Sequence, residues 1–292
     1  MKNLLTSSLT FFAILIFSNV VPSQSDAASC TNATDGATIT YSGGYAECSD
    51  ATPDELKIDF YKLALCSAKP TYTDESSCTF IINSDTPQSL EIGIGKEIDL
   101  VSNDISIAEG KYPYAMLLVG SKIGLKTTLK FATAQNGGLS GNGTSCWTNG
   151  SPLANSYASK AVMPITCGAD TSANPQFSDE TFVAFGDPSV ALTPSMLNQR
   201  SVSTIFDIHL LKNSNVLADM PGAGGPNARF IWGVQKFDIT PEITANTKSI
   251  DLGFKLTKGM IVTFNNAGLP ECNNKCVEGV NLMSFAFTVD VN

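Results

Sequence analysis

In "LKIDFYKLAL", residues Leu56–Leu65, apolar side chains alternate with polar ones: first Leu56, Ile58 and Phe60, then Tyr61, Leu63 and Leu65. A period of two is that of a strand with one face turned to a core. The change of parity at Phe60–Tyr61 is one inserted residue, as at a β-bulge.

The same pattern recurs along the chain. Leu90, Ile92 and Ile94 alternate, as do Tyr112, Tyr114, Met116 and Leu118 after Gly110. Ile123, Leu125, Leu129 and Phe131 follow a Gly120-Ser121 turn. Val202, Phe206, Ile208 and Leu210 come next, then Phe230, Trp232 and Val234, then Phe237 and Ile239. Ile250, Leu252, Phe254 and Leu256 alternate, and Ile261–Phe264 is apolar. Gly, Pro, Asn and Asp bound these runs, as they bound strands. No long segment has helical period, and a turn or two of helix is expected only near Pro194–Gln199. Half-buried sheets must cover each other. The expected fold is an all-β, disulfide-stapled antiparallel β-sandwich with little helix.

The closing run "NLMSFAFTVDVN" (Asn281–Asn292) has Met283, Phe285, Phe287, Val289 and Val291 on one parity. It reads as a strand that closes its own sandwich with odd residues inward. Cys272, Cys276 and Gly279 read as the connection to it from a strand ending at Phe264. Ala134–Lys160, rich in Gly, Asn, Ser and Thr, is too poor in apolar residues to build a core. It reads as a long excursion (134–160) from one sandwich domain covering 28–292.

Residues 1–27 read as a signal peptide. Lys2 is followed by an apolar run through Phe17, a polar spacer, and small residues at Ser25 and Ala27. The apolar run is short for a membrane span, and none is expected after cleavage. Ala27-Ala28-Ser29-Cys30 loosely resembles a lipoprotein box. Lipid on Cys30 would leave seven cysteines, an odd number, so cleavage after Ala27 is the preferred reading. The eight cysteines (Cys30, Cys48, Cys66, Cys78, Cys146, Cys167, Cys272 and Cys276) all follow that point. An even count in an exported chain reads as disulfides, and spacing favours neighbours: Cys30–Cys48, Cys66–Cys78, Cys146–Cys167 and Cys272–Cys276. The chain is expected outside the cell, at its surface or in a periplasm.

"IAEGKYPYAMLLV" (Ile107–Val119), "SIDLGFKLTKGMIVTF" (Ser249–Phe264) and the final "FAFTVDV" occur in an order that resembles exported bacterial prealbumin-like β-sandwich domains of unknown function. The resemblance implies an Ig-like or prealbumin-like form of the sandwich, and export. It implies no active residue.

The net charge of −9 argues against a nucleic-acid partner. His209, the single histidine, shares a parity with Asp207. A serine nucleophile for such a pair has no G-x-S-x-G elbow here, and the pair reads as a solvated strand face. Asp54-Glu55, Asp74-Glu75 and Asp179-Glu180 read as solvating turns. Asp50, Asp54 and Glu55 are the best acidic cluster for calcium, without an EF-hand pattern. No metal and no cofactor is expected, and no catalytic residue. Trp147, among amide and hydroxyl residues, is a ring that can stack on a sugar, or a cover for the Cys146 disulfide. The expected function is a secreted or cell-surface structural or adhesive protein. It would act through protein contacts or self-association, without catalysis. The alternative is an extracellular module that binds a glycan or another ligand.

Overall fold

The computed structural model describes residues 38–39, 46–93, 97–98, 107–137, 141–153, 163–185, 192–201, 204–220, 227–255, 259–265, 276–282 and 286–291. Residues 1–27, Cys30, Cys272 and all of 154–160 lie outside them. The strands run in chain order: β1 (Thr38–Ile39), β2 (Ala46–Ala51), β3 (Glu55–Cys66), β4 (Cys78–Gly93), β5 (Glu97–Ile98), β6 (Gly110–Lys111), β7 (Tyr114–Gly120) and β8 (Lys122–Lys126). Then come β9 (Thr128–Asn136), β10 (Asn142–Thr148), β11 (Ile165–Gly168), β12 (Ser178–Thr181), β13 (Ser195–Ser201), β14 (Thr204–Asn213) and β15 (Val216–Leu217). The last are β16 (Phe230–Lys236), β17 (Glu242–Ile243), β18 (Ile250–Lys255), β19 (Met260–Asn265), β20 (Cys276–Leu282) and β21 (Ala286–Val291).

One sheet has the order β11-β10-β9-β20-β19-β2, with β1 beside β9. A larger sheet has the order β12-β8-β3-β7-β16-β14-β13, with β4 beside β3 and β15 beside β14. A third, β21-β18-β5, continues the core, and β17 pairs with β6. Buried side chains from both large sheets and the third meet in one cluster, including Phe60, Leu63, Leu125, Phe131, Val262, Phe264 and, from the third sheet, Phe287. Phe131 packs edge-on to Phe264 at 5.9 Å, and Phe60 meets Phe254 at 5.5 Å. The all-β sandwich class is therefore present in the structure.

The change of parity in β3 is a bulge. Its register shifts between Phe60 and Lys62 against both β4 and β7. Leu56, Ile58, Phe60, Leu63 and Leu65 consequently all face the main core. Tyr61, grouped with Leu63 and Leu65 on sequence, instead packs on the outer face, edge-on to Phe230 at 5.0 Å.

That outer face carries a second core. Ala64, Cys66, Met116, Leu118, Trp232 and Val234 are buried there, under Tyr72 and Phe80. The Met116–Leu118 and Trp232–Val234 parities thus point away from the main core, and β7 and β16 are apolar on both faces. The segment after Cys66 folds back over this face. Its ends are joined by the Cys66–Cys78 disulfide, whose cysteines are register partners. Glu75 accepts from Trp232 Nε1 at 3.3 Å and pairs with Lys62 at 2.5 Å.

The Ala134–Lys160 stretch is not wholly an excursion. Asn142–Thr148 forms β10, paired with β9 and β11, and Cys146–Cys167 is a disulfide between register partners. Polarity did not prevent a strand because the glycines let backbones meet. A Cβ on Gly143 would lie 2.0 Å from the Gly168 carbonyl oxygen, and one on Gly141 (φ 128°) 1.7 Å from that of Cys167. Cys48 and Cys276 are also disulfide-bonded, and no described cysteine is free. Denatured, unreduced protein should therefore take up no thiol label; two or more reactive thiols per chain, about a quarter of the cysteines, would overturn the disulfide assignment.

Other expectations change. Pro194–Gln199 contains no helix: β13 begins at Ser195 and bulges between Met196 and Gln199. Cys276–Gly279 is not a connection but the start of β20, which pairs with β19. The final strand pairs instead with β18, from Lys255↔Ala286 to Ile250↔Val291. Phe287 is buried while Thr288 and Asp290 are exposed, the inward parity expected for this stretch. Met283 and Phe285 lie outside the described residues.

Candidate functional site

Between the sheets lies a cavity of about 240 Å³. Its floor is the inner face of the larger sheet: Ala115, Leu117 and Val119 of β7, Ile231 and Gly233 of β16, and Phe206 and Ile208 of β14. Met196 of β13, Phe182, Phe185, Leu282 and Phe287 form the sides. The parity that buries Met116 and Trp232 outside turns the alternate residues of β7 and β16 inward, where they are small or slender. Ala115 and Gly233 leave the space.

Asp207 and Gln235 are the polar residues of its lining, and Glu180 stands beside two lining residues. The Gln235 carboxamide donates to Phe287 O at 2.7 Å and accepts from Phe287 N–H at 2.8 Å. Glu180 is opposite Ile123 in the β12–β8 register and accepts the Leu282 N–H at 2.7 Å. Ile123 and Leu282 both line the cavity. Burial raises the Glu180 carboxyl to about 7, against the opposing pull of the Leu282 N–H. Glu180 is thus not a turn-solvating residue like its neighbour Asp179, which is outward, on Lys122 at 2.6 Å.

His209 lies on the opposite face. It is not on a solvated surface: the stapled segment covers it, and its ring sits 5.0 Å from Tyr72 and 5.5 Å from Trp232. Its Nδ1 shares a hydrogen bond with Ser195 Oγ at 2.8 Å. Burial lowers its pKa, and Lys69 does so further against the pull of Asp207. Asp207 is 7% exposed. Burial pushes its carboxyl up, but the Asn198 N–H (2.7 Å) and Lys69 (2.6 Å) outweigh this and hold it below the ordinary range. Those bonds tie the carboxylate to the β13 bulge and the stapled segment. His209→Gln should cost about 1 kcal/mol of stability, the worth of the Ser195 contact, by denaturant unfolding. A loss of fold would show that the ring supports far more.

Trp147 is 7% exposed in β10, beside Gly168, whose added Cβ would lie 3.1 Å from the indole. A sugar has no open ring face to stack on, so Trp147 is a packing residue. The acidic cluster is also occupied. Asp54 is bound by Thr128, and Glu55 pairs with Lys126 at 3.0 Å. Among the described residues no group of His, Cys, Asp and Glu is placed to hold a metal ion. No described helix is long and apolar enough to cross a membrane.

Sequence alternation marks Ile123, Phe206, Ile208 and Phe287 as strand positions with a buried face, but on β7 and β16 it picks out the opposite parity, and nothing in strand parity separates a filled core from a hollow one. Ser195 and Tyr72 reach His209, and Lys69 reaches Asp207, from distant segments, which no local sequence pattern signals. No family model, curated protein or solved structure matches this chain.

Proposed function

We propose that this chain is an exported β-sandwich that acts by binding, not catalysis, and that it holds a small ligand in the cavity between its sheets. The cavity carries this reading. It is a concave space lined mostly by aliphatic and aromatic side chains with few polar groups, the ordinary make-up of a small-molecule site. Export is supported by the signal-like segment 1–27 and by the disulfides, which persist in oxidising compartments.

A second reading, adhesion or self-association through protein contacts, is favoured by one observation. Leu197 and Ile205 are exposed beside each other's strands at the β13 end of the larger sheet. Light scattering on the purified protein, with thermal unfolding against a panel of small apolar and saccharide ligands, separates the two. A monomer stabilised saturably by an apolar ligand is expected. Concentration-dependent assembly with no ligand response would favour contact with protein instead.

A further inference from the structure

We propose that the occupant is an uncharged, apolar molecule of about ten non-hydrogen atoms, such as a medium-chain alcohol or hydrocarbon. This rests on the reading of the cavity as the binding site and adds the ligand's chemistry. Size comes first. An engineered cavity of about 150 Å³ takes up benzene, with six carbons. In proportion, 240 Å³ accommodates about ten atoms. Phe182, Phe185, Phe206 and Phe287 supply flat walls, and Met196 an adaptable one.

Charge is excluded because the polar groups around the space are already engaged. The Gln235 carboxamide is engaged at both ends by Phe287. The floor strands β7 and β16 pair with each other from Phe230↔Gly120 to Lys236↔Tyr114. Asp207 is bound by Lys69 and Asn198, and Lys122, the cation next to Ile123 in β8, is bound by Asp179. An ammonium or carboxylate placed here would lose its water without gaining a partner, which is costly. Glu180 reports the same property: beside this wall, burial keeps even a protein carboxyl protonated to about pH 7.

The test titrates the full chain at pH 8 with 1-octanol, octanoate and octylammonium, which share a chain and differ in the head group. 1-Octanol should saturate one site per chain and raise the unfolding temperature. The two ions should bind at least about tenfold more weakly. Ala115→Leu, which fills the floor, should weaken octanol by about tenfold or more. Met196→Ala should move the preference from 1-octanol to 1-decanol, and decides the matter alone if Ala115→Leu fails to fold. An ion binding within tenfold of octanol, or more tightly, overturns the ligand class and leaves the cavity reading standing. If no probe binds, or both folded variants bind octanol as the parent does, the cavity reading fails as well.

Discussion

A chain that stops at Leu282 will not fold as a monomer, however dilute. β21 supplies six residues paired with β18, and Phe287 is 2% exposed against Phe254 (5.3 Å) and Phe237 (6.4 Å). Truncating one such Phe costs roughly 3–5 kcal/mol. Each lost backbone hydrogen bond adds about 1 kcal/mol, and the half-buried Gln235 carboxamide loses both partners. The sum reaches the 5–15 kcal/mol that holds a typical domain together. Circular dichroism and size-exclusion chromatography check it: the truncated chain should show little sheet signal and an expanded or aggregated profile. A folded monomer that has lost only the ability to assemble would mean that this strand serves a partner.

Glu180→Gln should stabilise the protein in alkali and do little in acid. The folded carboxyl titrates at about 7 and its ordinary value is 4.5. The folded state therefore holds a proton that the unfolded state has released. Stability from this group is complete below about pH 4.5, falls through the window from 4.5 to 7, and is lost above it. At about 1.4 kcal/mol per pH unit, the loss is up to roughly 3 kcal/mol at pH 8. Glutamine cannot ionise, and its carbonyl still accepts the Leu282 N–H. The variant should melt up to roughly 6–12 °C above the parent at pH 8 and close to it at pH 4. Equal melting at both pH values would show that the carboxyl is well solvated.

The strands were legible where one face is wet and one is dry. β3 is the clearest case, since even its bulge is written as a parity change at Phe60–Tyr61. Legibility failed where that contrast disappears. β7 and β16 are apolar on both faces, and alternation alone cannot say which face meets the main core. β10 failed for the opposite reason: Ser145, Trp147 and Thr148 are buried among glycines whose role is backbone proximity, which leaves no apolar stripe. The cavity is a property of packing between distant strands. Ala115 and Gly233 are unremarkable in their own segments and define a space only when β7 and β16 stand side by side. The histidine cluster has the same character: Tyr72, Ser195 and Trp232 reach one ring from three segments.

The Gln235–Phe287 contact also guards against misalignment of the final strand. A side-chain carboxamide carries the same donor and acceptor as a peptide, so it can engage one residue of β21 as a neighbouring strand would. In a strand, successive residues present these groups to opposite edges. A slip by one residue would turn the matching pair away from Gln235 and bring Thr288 inward, so it is rejected on two counts. A slip by two that brings in Val289 would restore the hydrogen bonds but leave a smaller side chain where Phe287 meets Phe254 and Phe237. The amide thus reads odd from even, and the aromatic socket opposes the slip toward Val289.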